Sequence, residues 1–298
     1  MSKVLIYSDL HIDADRVSLD KVILSLKFVN NLAKERGITE IFNLGDTFDF
    51  FNHTKSKMKI TPELMSMVEK LGPYLRNHII LRGNHEYHEE GDLIPVFNIF
   101  EAQTICEPTE FTISNKSVLF MPYYDDAELS KLTFKFKEEY DYVFAHLDIS
   151  GASFESGFKD PSNDSLALNM FKFKKMFIGH YHIRQQIRTN IWSVGSSQSR
   201  VKTDNETKMG FTILDIETGE VEFIENPFAE YSVSDTVKNI GTQYNTSKKY
   251  NLLEEIDNFK LEKTGIDAII DYTNTKRGVY DDSILEYTVE YLEGLKRG

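Results

Sequence analysis

Cysteine is nearly absent: Cys106 stands alone among 298 residues. A single thiol excludes an intramolecular disulfide and a cysteine-rich zinc centre, and it points to a reducing compartment. Any metal would therefore fall to His, Asp, Asn or Glu. Proline is sparse at 7 and glycine at 16, which removes collagen-like and low-complexity classes from consideration. No run approaches the ~18–20 apolar residues of a membrane span, and the opening MSKVLIYSDLHID lacks the apolar core of a signal peptide. A cytoplasmic chain that makes no membrane contact is the expectation. Positive charge is also in deficit, with 47 Asp and Glu against 34 Lys and Arg for a net −13, which argues against a generally basic nucleic-acid binder.

What is present is enough apolar material, 41%, for a sizeable core in one large domain, with or without a small appendage. KVLIYS (3–8) reads as a buried strand. From Leu19 to Lys34 apolar residues recur at helical spacing (Val22, Leu26, Val29, Leu32), Gly37 supplies a stop, and EIFNL (40–44) reads as the next strand, so a βαβ unit is expected. Thr61-Pro62-Glu63 opens a second helix that ends near Gly72-Pro73, and HIILRG (78–83) is a third strand. Further strands are expected at 117–121, 141–145, 175–179, 191–195, 210–215 and 220–225, the last two joined by the turn Glu217-Thr218-Gly219. The pattern starts as α/β and ends with β-meander character. It predicts a two-sheet β-sandwich flanked by helices over residues 1–228, followed by a small, mainly helical C-terminal region over 229–298.

Five short motifs each follow an expected strand: S-D-L-H (Asp9, His11), G-D-T-F-D (Asp46, Asp49), G-N-H-E (Asn84, His85), A-H (His146) and G-H-Y-H (His180, His182). Singly each is weak, since Asp-x-His arises by chance and Gly-Asp often makes a turn. Together they deliver imidazoles, carboxylates and an amide from loops at strand ends, where α/β architectures build sites. Hard oxygens mixed with imidazoles and no thiolate suit Mn, Fe or Zn rather than Ca. The donors outnumber the needs of one tetrahedral ion, so two ions that share a phosphoryl group fit better. Asp49 also reads as a turn former. His53, His78 and His88 read as surface or packing residues, Glu86 as a neighbour of the site, and Asp13 and Asp15 as caps of the following helix.

D-x-H, G-D-x-x-D, G-N-H-E, a single H and G-H-x-H, in this order, resemble the signature of the calcineurin-like metallophosphoesterase superfamily over roughly residues 1–225. The resemblance implies that Asp9, His11 and His182 bind one divalent ion and Asn84, His146 and His180 a second, with Asp46 bridging. It implies Mn first, with Fe or Zn as alternatives. His85 would contact the substrate phosphate and protonate the leaving oxygen, oriented by Asp49.

Within the superfamily, G-D-T-F-D and V-F-A-H-L-D-I-S-G-A are similar to the SbcD-type DNA repair nuclease branch. W-S-V-G-S-S-Q-S-R (192–200) matches the segment after its last metal motif, except that a proline is missing. The hairpin M-G-F-T-I-L-D-I-E-T-G-E-V-E-F-I-E-N and the tail D-D-S-I-L-E-Y-T-V-E-Y-L resemble the recombination nuclease subunits of T-even bacteriophages. That branch implies Mn-dependent 3′-to-5′ exonuclease and endonuclease activity on DNA, an SbcC-type coiled-coil ATPase partner, a homodimer as an open option, and, if phage-encoded, the host cytoplasm. Residues 229–298 are short for both a DNA cap and ATPase-docking helices. The apolar positions Ile284, Leu285, Tyr287, Val289, Tyr291, Leu292 and Leu295 suit a partner-binding helix or one packed on its own domain equally well. Between Lys172 and Lys208 eight Lys or Arg face only two acids, a stretch suited to phosphate. Two rival readings stay open: a small-molecule phosphodiesterase or phosphatase of the same fold, favoured by the net charge, and a non-catalytic scaffold.

Overall fold

Alternation along the strands sorts the apolar side chains into layers. In the computed structural model, which describes residues 2–12, 19–49, 62–87, 92, 94–154, 158–199, 208–229 and single helical positions at 270, 271, 274, 289 and 293, the first strand, β1 (Lys3–Tyr7), sends Val4 and Ile6 to one side and Leu5 and Tyr7 to the other. A period of two requires this split. Leu5 and Tyr7 meet helix α1 (Leu19–Arg36), whose Val22, Leu26, Val29 and Leu32 form one buried stripe. Gly37, at φ +64°, ends that helix in the left-handed conformation that glycine adopts without penalty.

The chain continues through β2 (Glu40–Asn43), α2 (Pro62–Leu71), β3 (His78–Leu81) and β4 (Gln103–Ile105). Proline at the first helical position of α2 forfeits no hydrogen bond, because that N–H has no partner within the helix. β1, β2, β3 and β4 are mutually parallel neighbours. After the second sheet is built, β11 (Gly210–Asp215) returns antiparallel to β1, and the hairpin partner β12 (Val221–Glu225) closes that edge, giving the order β12-β11-β1-β2-β3-β4.

The second sheet has the order β5-β6-β7-β8-β10-β9, from β5 (Thr109–Ile113), β6 (Lys116–Met121), β7 (Glu139–Ala145), β8 (Lys172–Ile178), β9 (Gln185–Arg188) and β10 (Ile191–Ser193). Val118, Phe120, Phe144 and Phe177 face Val4, Ile6, Phe42 and Leu81 across the middle layer. Phe120 and Phe144 each pack a ring at 4.9 Å from Phe42. Leu119, Met121, Val143 and Ile178 point outward, where Leu129 of the one-turn helix α3 (Asp126–Leu129), Phe171 and Tyr181 cover them. The sandwich of two sheets with helices outside is as expected.

The expected meander character is only partial: β5–β6, β9–β10 and β11–β12 are antiparallel hairpins. β6, β7, β8 and β10 run parallel to one another, joined by long loops rather than tight turns. β4, β5 and β9 carry no clear sequence signal: all three lie at sheet edges, where β5 and β9 have no fully buried side chain and β4 has one. In the C-terminal region, Ile270 is buried in the helix-side core and Val289 packs against the same cluster, so those two positions lie on the domain itself. The remaining positions of the proposed partner helix, and Asp13, Asp15, His53 and His88, lie outside the described residues.

Candidate metal centre

All five motifs leave the carboxyl ends of parallel strands. Asp9 and His11 follow β1, Asp46 and Asp49 follow β2, Asn84 and His85 follow β3, His146 follows β7, and His180 and His182 follow β8. Parallel neighbours point the same way, so their loops collect at one end of each sheet, and the face-to-face packing brings both sets together. Backbone bonds fix the loops in place: Asp9 N–H donates to Gly45 O (3.0 Å), His11 N–H to Asp46 O (2.9 Å) and Ile12 N–H to Thr47 O (2.9 Å). Asp9, His11, Asp46 and His180 all adopt positive φ, at 55°, 43°, 51° and 80°. Four non-glycine residues in the left-handed region, at about 1–3 kcal/mol each, mark a place where geometry is held against backbone preference.

Asp46 is the hub. Its Oδ2 lies 3.4 Å from His146 Nε2, 3.6 Å from His11 Nε2 and 3.8 Å from His85 Nε2. On one side Asp9, His11 and His182 converge, with His11 Nε2 3.0 Å from His182 Nε2 and 3.6 Å from Asp9 Oδ1. On the other, His146 Nε2 and His180 Nδ1 approach the same oxygen, Asn84 Oδ1, at 2.9 and 3.0 Å. Asp46, His146 and His180 can hold one ion, and Asp9, His11 and His182 another. A third convergence of His11, Asp49 and His85 shares His11 with the first. There His85 Nδ1 lies 2.8 Å from Asp49 Oδ1, a close ion-pair contact that occupies both groups.

The donor set fits cations. His146 Nδ1 faces the carbonyl of Leu44 at 2.7 Å and must be the protonated nitrogen, because a carbonyl only accepts. In the neutral ring Nε2 then carries a lone pair aimed at two further acceptors, Asn84 Oδ1 and Asp46 Oδ2. Only a proton or a metal ion between them makes this arrangement favourable. The titration tendencies agree: burial opposes the charged form of His146, but the Asp46 carboxylate pushes it up to about 10. Burial likewise opposes ionisation of Asp46 and Asp9, yet His146 holds the first well below, and His11 holds the second below, the usual carboxylate range. Burial disfavours His85 as a cation too, but the Asp49 contact and the Asp46 charge raise it above its ordinary value.

Glu86 builds the loop beneath Asp46. Its fully buried carboxylate accepts from Gly83 N–H (2.8 Å), Asp46 N–H (3.1 Å) and Phe48 N–H (2.9 Å), while burial and the Asp46 charge push it up to about 7. Gly83 must be glycine, because a Cβ there would overlap Asp46 Oδ1 and its backbone N. Arg82 anchors the start of the same loop, paired with buried Asp92 at 3.0 Å and donating to Tyr123 O. Asp148, two residues beyond His146, belongs to none of the five motifs, yet its Oδ1 lies 3.0 Å from His180 Nε2. Its spacing was the available signal, since side chains two apart in an extended chain share a face.

Of the lysines and arginines of 172–208, Arg200 and Lys202 lie outside the described residues, and Lys172, Lys174, Lys175, Arg188 and Lys208 are engaged away from this centre. Lys172, Lys174 and Lys175 lie at the start of β8, roughly 20 Å of strand from His180 at ~3.3 Å per residue. Lys174 pairs with Asp141, Arg188 with Asp164 and Lys208 with Glu225, and Lys175 donates to Gly219 O. His78, expected to be a packing or surface residue, is buried on the helix side, between Tyr7 Oη and Asn30 Oδ1 at 2.9 Å each.

A sheet sandwich with imidazoles and carboxylates paired around a central aspartate at its strand ends defines a metal-dependent phosphoesterase. The chain belongs to the calcineurin-like phosphoesterase family, whose model matches residues 2–184 and whose centres hold two divalent metal ions. It is 23% identical over 202 residues to exonuclease subunit 1 of Enterobacteria phage T4, a match that covers 65% of this chain and 58% of that protein. The chain thus spans less than two thirds of that relative. Among solved structures, an archaeal phosphodiesterase is similar at 12% identity and a TM-score of 0.37, over 75% of this chain and 99% of that one. A second crystal structure is similar at 10% identity and a TM-score of 0.45, over 76% and 99%. Among the described residues no helix is long and apolar enough to cross a membrane.

Proposed function

We propose that the chain is a two-metal phosphodiesterase acting on DNA, a 3′-to-5′ exonuclease and endonuclease subunit for repair or recombination. The observation that carries the chemistry is the convergence of lone pairs on either side of Asp46, with His85 and Asp49 paired alongside. Asp9, His11 and His182 would hold one ion and Asn84, His146 and His180 the other, with Asp46 within reach of both sets. When bound, the ions, Mn by preference, supply Lewis-acid polarisation of a phosphoryl oxygen and a nucleophile from water at neutral pH.

The chain's own residues do the rest. The buried carboxylates and imidazoles keep fixed dipoles around the reacting phosphate, so little reorganisation is needed as charge develops. His85, 15% exposed at the rim, faces Asp46 through Nε2 and Asp49 through Nδ1. Asp49 thereby fixes the proton on Nδ1 and favours the cation, so that Nε2–H meets the phosphate and passes its proton to the departing oxygen.

Support for DNA as substrate comes from the phage relative, which is named as an exonuclease subunit, and from the hairpin and tail motifs. The same motifs support an SbcC-type ATPase partner, with residues 229–298 as a reduced cap and docking region in the cytoplasm; a homodimer would present two such centres. A small-molecule diesterase is the second reading, supported by the net charge of −13 and by the carboxylate pairing of the strand lysines and arginines. The deciding experiment incubates the purified chain with an end-labelled linear duplex in Mn, with EDTA and His85→Ala controls and bis-p-nitrophenyl phosphate in parallel. Stepwise shortening from the 3′ ends, lost in both controls, is expected. Cleavage of the small diester alone, also after the ATPase partner is supplied, would move the substrate to a small molecule.

A further inference from the structure

We propose that Asp148 is a positioning residue for the second ion, holding His180 in the tautomer that leaves its Nδ1 free to bind metal. The inference rests on the two-metal reading of the centre and is independent of whether DNA is the substrate.

A neutral imidazole carries one N–H. Asp148 Oδ1 lies 3.0 Å from His180 Nε2, and a carboxylate only accepts, so that contact places the proton on Nε2. Nδ1 then presents a lone pair toward Asn84 Oδ1 at 3.0 Å, and two donors aim at one point. Without Asp148 the proton is free to sit on Nδ1 and be donated to Asn84 Oδ1. That hydrogen bond would consume both donors and close the second position against a cation. His146, on the same ion, has its tautomer set by the Leu44 carbonyl, which mutation leaves in place. Asp148 does the equivalent task with a side chain.

The fold clamps Asp148 there through Tyr181, the residue between the two histidines of G-H-Y-H. Tyr181 is fully buried, its ring edge-on to His180 at 4.9 Å. Its hydroxyl accepts from Ile149 N–H at 2.7 Å and donates to Asp160 Oδ2 at 2.6 Å. Ser165 N–H donates to Asp148 O at 3.0 Å. Ile149 and Asp160 of the loop carrying Asp148 are thus both tied to Tyr181 of the loop carrying His180, and Ser165 closes the first loop on Asp148 itself. Burial is not what keeps a carboxylate at this place, since the side chain is 38% exposed.

The test is titration of Mn into the EDTA-stripped full chain, followed calorimetrically, with thermal melting of each stripped variant. Wild type is expected to take up two ions. Asp148→Ala should bind the first ion as wild type does and the second about 10–100-fold more weakly. Asp148→Asn, which keeps an acceptor oxygen, should lie much closer to wild type, and Tyr181→Phe should shift the second ion in the same direction by a smaller factor. Melting of stripped Asp148→Ala and Asp148→Asn should match wild type, which a merely structural role would not produce. An unchanged second ion in Asp148→Ala, or equal weakening of both ions in both Asp148 variants, would overturn the proposal. Uptake of fewer than two ions by wild type would instead remove the two-metal reading, and this inference with it.

Discussion

His85 and Asp49 meet at 2.8 Å between Nδ1 and Oδ1, on the same rim where His85 Nε2 faces Asp46 at 3.8 Å. One face of the ring is thus occupied by a carboxylate that orients it, while the other points at the position where a phosphate would lie. On the proposed reading this histidine delivers a proton rather than holding a metal, and this separates its expected mutational behaviour from that of the converging donors.

His85→Ala is accordingly expected to keep full Mn uptake while lowering kcat on bis-p-nitrophenyl phosphate by about 10²–10⁴-fold, the usual worth of a positioned acid. Asp49→Ala, which removes only the orienting group, should lose less. Steady-state kinetics beside metal analysis checks both, and retained turnover in His85→Ala would contradict the role.

Asp46 sits within reach of both sets of donors, so its loss should affect both ions. Asp46→Ala is expected to bind fewer than two Mn per chain and to show no turnover, and EDTA should abolish wild-type activity reversibly on Mn addition. Metal analysis after gel filtration is the readout; two ions retained in Asp46→Ala would remove it from the bridge.

Gly83 lies so close to Asp46 that a methyl group has no room. Gly83→Ala should destabilise the chain by about 1–3 kcal/mol through overpacking and weaken Mn binding at the same time. Denaturant unfolding and Mn titration on one preparation test the link. Destabilisation without any change in Mn affinity would show that the loop yields elsewhere.

His78 gives a pH prediction away from the site. Burial lowers its pKa to about 3, and the ring is held neutral between Tyr7 and Asn30. The unfolded chain takes up a proton near pH 6.5 and the folded one does not, so this contribution is complete above about pH 6.5 and falls as pH drops toward 3, by up to about 1.4 kcal/mol per unit. In His78→Gln the same stretch should be flatter, and the stability gap to wild type should narrow on acidification. Parallel curves in EDTA-containing buffer would refute the assignment.

Much of this was legible in the sequence because it depends on local pattern. The alternation in KVLIYS, the helical stripe of Val22, Leu26, Val29 and Leu32, and Pro62 at a helix start each speak through a few neighbouring residues. The candidate donors were legible because their motifs follow strands, so chain order already implied a common end of the sheets. What was not legible depends on partners distant in sequence. The parallel run of β6, β7 and β8 shows only in the pairing of residues far apart along the chain, Val118 beside Tyr142 and Val143 beside Met176. Asp148 acquires meaning only from His180, a contact 32 positions away. The lysines of β8 looked available to phosphate until folding put Asp141 beside Lys174 and the whole strand between Lys172 and the centre.

The central claim concerns two ions astride Asp46, and the most direct measurement is anomalous diffraction from a crystal soaked in Mn. Two peaks ~3.5–4 Å apart are expected, one beside Asp9, His11 and His182, the other beside Asn84, His146 and His180, with Asp46 touching both and His85 touching neither. A single peak, or one ligated by His85 and Asp49, would contradict the account.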